Sequence, residues 1–382
     1  MKEFVYILPI ARGGVVSVVN NLIYYSQFPN IKKKVILYGL DSNRAIGENV
    51  FPCDEQIELV YSRYAPKYYI AKQIAKHITK DSIIISNDGA HELEMLSICK
   101  LNNPVIYIMH GDHPYYQNVV QHKYPFISEI ITVSSYLQEF LQKLQIPVNI
   151  SFVRFPVPCR GKQLPVPKSY DILQISYIGA LIKQKGCEYF KTFIDKLRKS
   201  GIPFIFNIGG SGGLEEKLKT DFKEYPEVIF HGQLIKEDVD NIYGSSVFSV
   251  LFSQAEGLPV TVVEAMQNGC IPIVFNIASG IPDIIQNEVD GFIVEQGNVD
   301  EVVSIIKRLY IDRELMRKIA LRAALKVAEQ FNPTIQTLRY EQIFLNATSI
   351  SGRKISIWKR FSFLIPSPLL YQIEKIRSRI CK

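Results

Sequence analysis

The sequence predicts an α/β protein made of two Rossmann-like, doubly wound halves. Three observations predict it. Short, nearly all-apolar runs alternate with longer mixed segments from the N terminus onward. A proline-rich, charged stretch at 154–171, RFPVPCRGKQLPVPKSYD, breaks that alternation. The alternation then restarts and continues to residue 294. The length of 382 residues leaves room for about two ordinary domains. A hydrophobic share of 47% with 21% charge is a globular composition, neither disordered nor fibrous.

In the first half EFVYILP (3–9), KKVILYG (33–39), SIIIS (82–86), PVIYIM (104–109) and EIITVS (129–134) read as strands. Each lacks polar alternation, as expected of strands buried on both faces of a parallel sheet. The segments 15–27, 69–79, 91–101 and 134–144 read as the helices between them. Pro156, Pro158, Pro165 and Pro167 among charges mark an interdomain linker. The second set of strands is ILQISYIG (172–179), PFIFNIG (203–209), EVIFHG (227–232), VFSVLF (247–252), IPIVF (271–275) and GFIV (291–294). Two helices, 312–330 and 333–346, close the body. The expected domains are 1–160, 161–350 and a C-terminal tail, 351–382. Ligands of such folds bind at the carboxyl ends of the strands, here expected to face an interdomain cleft.

Charge and cysteine usage exclude several classes. The tail holds eight of the 44 basic residues and one of the 37 acids, so residues 1–350 are neutral. A uniformly basic nucleic-acid-binding surface is therefore not expected. Six scattered cysteines with no C-x-x-C pair predict neither a disulfide framework nor a zinc site, and suit a reducing compartment. The opening MKEFVYILPIARGG does not read as a signal peptide, and no run of about 18 apolar residues predicts a membrane span. No G-x-x-x-x-G-K-[ST] is present, which excludes a P-loop ATPase.

The sharpest chemical signal is EGLPVTVVEAMQNGCIPIVF, residues 256–275. Glu256 and Glu264 stand eight positions apart, with Gly257 and Pro259 at the start of the intervening helix. A helix N-terminus offers unpaired N–H groups and a positive dipole end to a diphosphate. Carboxylates before it and about two turns along it could bracket an elongated ligand, since a carboxylate accepts paired bonds from neighbouring hydroxyls. On spacing alone, a solvated helix face is the other reading of these two acids.

The stretch from Ile172 to Val294 resembles the second domain of the retaining GT-B glycosyltransferases, glycosyltransferase family 4. Glu256 and Glu264 match its E-x7-E motif, followed by Ala265, Met266, Gly269 and Pro272. SGIPDII (279–285), DGFIV (290–294), Gly179, Lys185-Gly186, Gly209, Gly232 and Ser253 extend the likeness. It covers roughly residues 1–345 and is stronger in the second half. The resemblance implies a GT-B fold and sugar transfer from a nucleoside-diphosphate sugar, with that donor as substrate and no cofactor or metal. It implies that Glu264 holds the ribose and Glu256 the transferred sugar. The N–H groups near Leu258, Val260 and Thr261 would face the diphosphate, and Lys185 would neutralise it. The family usually has an Arg where this sequence has Ala180, leaving Lys183 or Arg12 to supply that charge.

In the first half, Gly13 and Gly14 follow the first strand and would let backbone approach a phosphate or acceptor. A simple turn is the other reading. His110 follows the strand PVIYIM and can reach the cleft, with Asp112 to fix its ring; a loop histidine without function is the other reading. The resemblance implies a histidine near here that contacts the donor sugar, and His110 fits better than His113. Asp238–Val–Asp240 looks like the metal-binding D-x-D of the other glycosyltransferase architecture but reads as a solvated helix face. GGSGG (209–213) reads as a tight strand–helix turn.

The tail has an interfacial composition. Trp358, Phe361, Leu364 and Ile365 lie beside Lys354, Lys359 and Arg360, and Leu369, Ile373, Ile376 and Ile380 share a helical face. Two readings stay open: contact with an anionic membrane surface, or packing back on the first domain. The expected partners are a nucleoside-diphosphate sugar and a glycan or lipid-linked acceptor in polysaccharide biosynthesis, with no nucleic acid. The expected location is cytoplasmic, peripheral on the membrane face. An inactive donor-binding protein, motivated by Ala180, and a nucleotide-sugar epimerase of the same fold are the alternatives.

Overall fold

The computed structural model describes residues 2–10, 13–40, 50–87, 92–158 and 171–349. Arg12, most of the proline-rich stretch and the basic tail lie outside these. The chain divides into two compact units, residues 1–156 with 333–382, and residues 157–332.

The first unit runs β1 (Glu3–Pro9), α1 (Gly14–Tyr24), β2 (Lys32–Leu40), β3 (Glu55–Tyr61), α2 (Lys67–Ala75), β4 (Ser82–Ser86), α3 (Glu92–Ile98), β5 (Val105–Met109), α4 (Pro114–Lys123), β6 (Glu129–Thr132), α5 (Ser135–Lys143) and β7 (Asn149–Phe152). Its seven strands are all parallel, in the order β3-β2-β1-β4-β5-β6-β7. The central strands are buried on both faces because their sequences are continuous Val, Ile, Tyr and Phe. Each such aliphatic side chain contributes roughly 1.5–3 kcal/mol on burial. The edge strands β3 and β7 were not expected from the sequence. EQIELVY alternates acids with apolar residues, and NISF is short; both are only partly buried, as edge strands are.

The second unit runs β8 (Leu173–Ile178), α6 (Phe190–Lys199), β9 (Phe204–Gly209), α7 (Glu215–Asp221), β10 (Val228–Gly232), α8 (Lys236–Ser245), β11 (Phe248–Leu251), α9 (Val260–Gln267), β12 (Ile271–Asn276), α10 (Ile281–Ile284), β13 (Phe292–Glu295), α11 (Val299–Ile311) and α12 (Arg313–Gln330). Six parallel strands lie in the order β10-β9-β8-β11-β12-β13. Pro272 is accommodated inside β12 because its neighbour Gly291 has no side chain; a Cβ there would lie 2.6 Å from the proline ring. Asp290 is buried, accepts from the Gln286 N–H at 2.7 Å, and pairs with Lys326 of α12 at 2.9 Å. The D-G pair therefore ties the last loop to α12.

One domain boundary is corrected. Helix α13 (Pro333–Asn346) was expected in the second domain, 161–350, but belongs to the first unit. Phe344 packs edge-on against Phe4 at 5.4 Å, and the Tyr340 hydroxyl donates to the Val153 carbonyl at 3.1 Å. Buried Glu341 accepts from the Gln27 N–H at 2.8 Å and from the Ser26 hydroxyl. The chain thus crosses between units twice, and the second crossing carries no proline-rich signal. Among the described residues no helix is long and apolar enough to cross a membrane.

Candidate functional site

Both sheets reverse their winding direction once, between β1 and β4 and between β8 and β11. Ligand-binding loops of open α/β sheets gather at such carboxyl-end switch points. In the second unit the loop after β8 holds Gly179 to Gly186, and the loop after β11 holds Ser253 to Gly257.

These two loops are locked together by backbone. Gly186 has φ +71°, and a Cβ there would lie 1.9 Å from the Phe252 carbonyl oxygen. Only glycine permits both the conformation and the approach. Gln254 N–H then donates to the Gln184 carbonyl at 2.9 Å. The consequence is an ion pair across the switch point: Lys185 Nζ lies 2.6 Å from Glu256 Oε1. The Ser253 hydroxyl donates to the same oxygen at 2.7 Å. Glu256 is mostly buried and Lys185 half-buried. Among the described residues the second carboxylate oxygen has no partner and is open to a ligand hydroxyl, and the ammonium has further N–H bonds for an anion.

Helix α9 starts at Val260, with Pro259 at its N-cap and no side-chain cap. No acid lies in its first turn. Leu258 is buried, and Val260 and Thr261 are half-buried. The Gly257 carbonyl accepts from the Gly280 N–H at 2.8 Å, joining the SGIP loop to this turn.

Glu264 does not join Glu256; it pairs with Lys236 at the start of α8, Nζ to Oε1 2.9 Å. Lys236 also lies 3.4 Å from Asp240. Burial works against the Lys236 ammonium, but the Glu264 and then the Asp240 carboxylate outweigh it and raise its pKa. Asp238 accepts from the Ile235 N–H at 3.3 Å as a helix cap. The D-V-D segment is therefore used within α8. Ala180 is exposed, its carbonyl accepting from the buried Tyr177 hydroxyl at 2.8 Å. GGSGG is a tight turn: Cβ atoms at Gly210 and Gly212 would lie 2.0 and 2.6 Å from the carbonyls of Gly179 and Leu181.

In the first unit Gly13, Asn87 and His110 follow β1, β4 and β5, three adjacent strands. Gly13 has φ +114° and caps α1, and Gly14 is its exposed first residue. His110 Nε2 lies 3.0 Å from Asn87 Oδ1. The Asn87 amide nitrogen points to the Ile7 and Ile85 carbonyls, both at 3.4 Å. Its oxygen is thus the acceptor, His110 donates from Nε2, and Nδ1 is left as acceptor. Burial lowers the His110 pKa to about 4, so the ring is neutral at pH 7. Asp112 does not hold this ring; it accepts from the Tyr136 hydroxyl at 3.1 Å. His113 caps α4, accepting from the Tyr115 N–H at 3.2 Å.

Sequence reasoning missed Lys236, Asn87 and the role of Ser253. Asn87 had a signal, a polar side chain at the end of SIIIS. Lys236 had none, since only the packing of α8 beside α9 brings it to Glu264.

Residues 166–326 match the family model for Glycosyl transferases group 1. Among solved structures, the chain resembles Anabaena Alr3699/HepE in complex with UDP and glucose, with TM-score 0.72, 14% identity, and 91% of this chain and 100% of that one covered. The fold is GT-B. Among curated relatives, the Arabidopsis thaliana sulfoquinovosyl transferase SQD2 is 29% identical over 205 residues, covering 53% of this chain and 38% of that protein. An uncharacterized glycosyltransferase of Haemophilus influenzae is 27% identical over 320 residues, covering 78% and 89%. An Escherichia coli UDP-Gal:alpha-D-GlcNAc-diphosphoundecaprenol alpha-1,3-galactosyltransferase is 26% identical over 175 residues, covering 44% of each chain. The GT-B match spans both units, whereas the family model lies wholly within the second.

Proposed function

We propose that this chain is a retaining glycosyltransferase that moves a sugar from a nucleoside-diphosphate donor to a glycan or lipid-linked acceptor. The observation that carries the reading is the Lys185–Glu256–Ser253 cluster at the switch point, inside a glycosyl transferases group 1 domain. The second unit binds the donor. Glu264 takes the ribose hydroxyls, with Lys236 orienting its carboxylate. Glu256 takes the transferred sugar, and Lys185 with the α9 N-terminus meets the diphosphate charge. Neutral His110 accepts a sugar hydroxyl at Nδ1. The bond from sugar C1 to the diphosphate oxygen breaks, the acceptor oxygen bonds to C1 on the same face, and the leaving diphosphate takes the acceptor proton. No metal is needed where a lysine and a helix terminus supply the positive charge. The E. coli relative named for a diphosphoundecaprenol substrate supports a lipid-linked acceptor. The tail, outside the described residues, would hold the enzyme on an anionic membrane face.

Ala180 favours one second reading, a donor-binding protein with little or no transfer activity. A screen of nucleotide sugars against lipid extracts, with and without chelator, tests these readings. Transfer that survives chelator, with the donor's anomeric configuration kept, is the expected result. Reversible loss with chelator overturns metal independence. Binding without transfer or slow hydrolysis supports the second reading, and release of an epimerised sugar supports the epimerase.

A further inference from the structure

The turn after β3 and the outer face of α2, in the first unit, form a basic aromatic surface outside the site described above. Residues 61–80, YSRYAPKYYIAKQIAKHITK, hold five basic residues and no acid. The remainder of residues 1–350 then carries 31 bases against 36 acids. The segment nets +5 in a body whose remainder nets −5.

The structure puts that charge on one side. Ile70, Ala71 and Ile74 turn into the unit and are buried. Tyr68, Tyr69, Lys72 and Lys76 are exposed on the other face of α2, and Arg63 and Tyr64 are exposed in the turn before it. Tyr64 and Tyr69 are more than half exposed, at 60% and 53%. The Arg63 guanidinium lies over the Tyr64 ring at 5.3 Å, and the Lys72 ammonium over the Tyr68 ring at 5.2 Å. Each pair presents a ring and a cation together at the surface. Tyr68, Lys72 and Lys76 follow at four-residue spacing and therefore form one ridge along the helix.

We propose that this surface docks the protein on an anionic lipid bilayer. Tyrosine suits the headgroup layer, where its ring is sheltered and its hydroxyl stays wet. Lysine and arginine beside it are attracted by acidic headgroups within a Debye length. The ridge lies on a convex helix face, which meets a plane better than it clasps a strand. The net acidic remainder of the body is repelled by the same membrane, so the charge distribution also orients the molecule. The turn at 62–66 follows the carboxyl end of β3, the side of the sheet that carries Gly13, Asn87 and His110. An acceptor carried on a lipid would then be offered at that side. This last point rests on the proposed acceptor class; the membrane contact does not.

The test is co-sedimentation of the full chain with vesicles of phosphatidylglycerol and phosphatidylcholine, with pure phosphatidylcholine as the neutral control. The variant Arg63→Gln/Lys72→Gln/Lys76→Gln should lower partitioning onto acidic vesicles on the order of 100-fold at low salt. The variant Tyr64→Ser/Tyr68→Ser/Tyr69→Ser should lower it about tenfold, and this loss should persist at high salt. Both should keep their circular dichroism and UDP affinity; should a triple variant lose its fold, Lys72→Gln and Lys76→Gln are read singly. In a Lys375→Gln/Arg377→Gln/Arg379→Gln background, which weakens the tail, the patch variants should lower partitioning by the same factors, because the two basic segments contribute independently. The proposal is overturned if wild type stays in the supernatant, if the patch variants sediment like wild type, or if the patch captures heparin but not vesicles. Failure of the glycosyltransferase reading would appear separately, as absent UDP binding and no sugar transfer.

Discussion

Replacing Glu264 with Ala should weaken binding of a free nucleoside diphosphate while leaving the fold intact. The main partner of Glu264 is Lys236, 2.9 Å away. The Lys236 side chain is 49% exposed, so its ammonium can be hydrated when the carboxylate is removed. A pair of that exposure contributes at most about 1 kcal/mol to stability. Binding is affected more. Hydroxyls of a ribose donating to a carboxylate form charge-assisted bonds together worth about 1.5–3 kcal/mol, a rise in Kd of roughly 10–150-fold. Lys236→Met should weaken binding less, by under about tenfold, because it frees the carboxylate without removing it. In the Glu264→Ala background Lys236→Met should add almost nothing, since the two act on the ligand as a unit. Calorimetric titration with UDP, beside a thermal melt of each variant, reads both quantities. A Kd for Glu264→Ala within about twofold of wild type would refute the ribose assignment. A loss of affinity that arrives with a fall of many degrees in Tm would assign Glu264 to folding.

Gly186→Ala should lower Tm by several degrees and weaken UDP binding, since a side chain in the left-handed region costs about 1–2 kcal/mol before the clash with the Phe252 carbonyl is added; unchanged melting and binding would show that the two loops are not locked there. His110 has a pKa of about 4, below the 6.5 of an unperturbed imidazole, so between these values the unfolded chain binds a proton that the native one does not. Stability from this group is complete above pH 6.5 and falls as pH drops towards 4, by a few kcal/mol at most; His110→Gln should flatten that part of a denaturant-derived pH–stability curve, and an unaltered slope refutes the neutral ring. Asp290→Ala leaves Lys326 largely buried without its partner and should cost about 3 kcal/mol, read as a lower urea midpoint; a shift under about 0.5 kcal/mol would mean that the tie to α12 contributes little.

Much of the fold was legible because parallel strands buried on both faces must be continuously apolar. SIIIS and VIYIM have almost no other reading, and the helix 333–346 is marked by its proline start. The strands EQIELVY and NISF were not legible, because an edge strand need not be apolar throughout and carries only a weak alternation. Glu256 and Lys185 were nominated from local pattern and resemblance, and the structure brings them within 2.6 Å. The glycine that permits this, Gly186, was visible only as part of a motif; its reason is a carbonyl 66 positions later in the chain, that of Phe252.

By itself the sequence determined the alternation, the number of halves and the spacing of the two acids, all of which are local or periodic properties. Tertiary structure alone decided the partners: Lys236 for Glu264, Asn87 in place of Asp112 for His110, and the first unit in place of the second for α13. The physical reason is the same in each case. A hydrogen bond or ion pair needs atoms about 3 Å apart, and for residues on different elements that distance is set by how sheets order their strands and how helices pack over them. A periodic pattern says which face of an element is buried, but not which neighbour covers it.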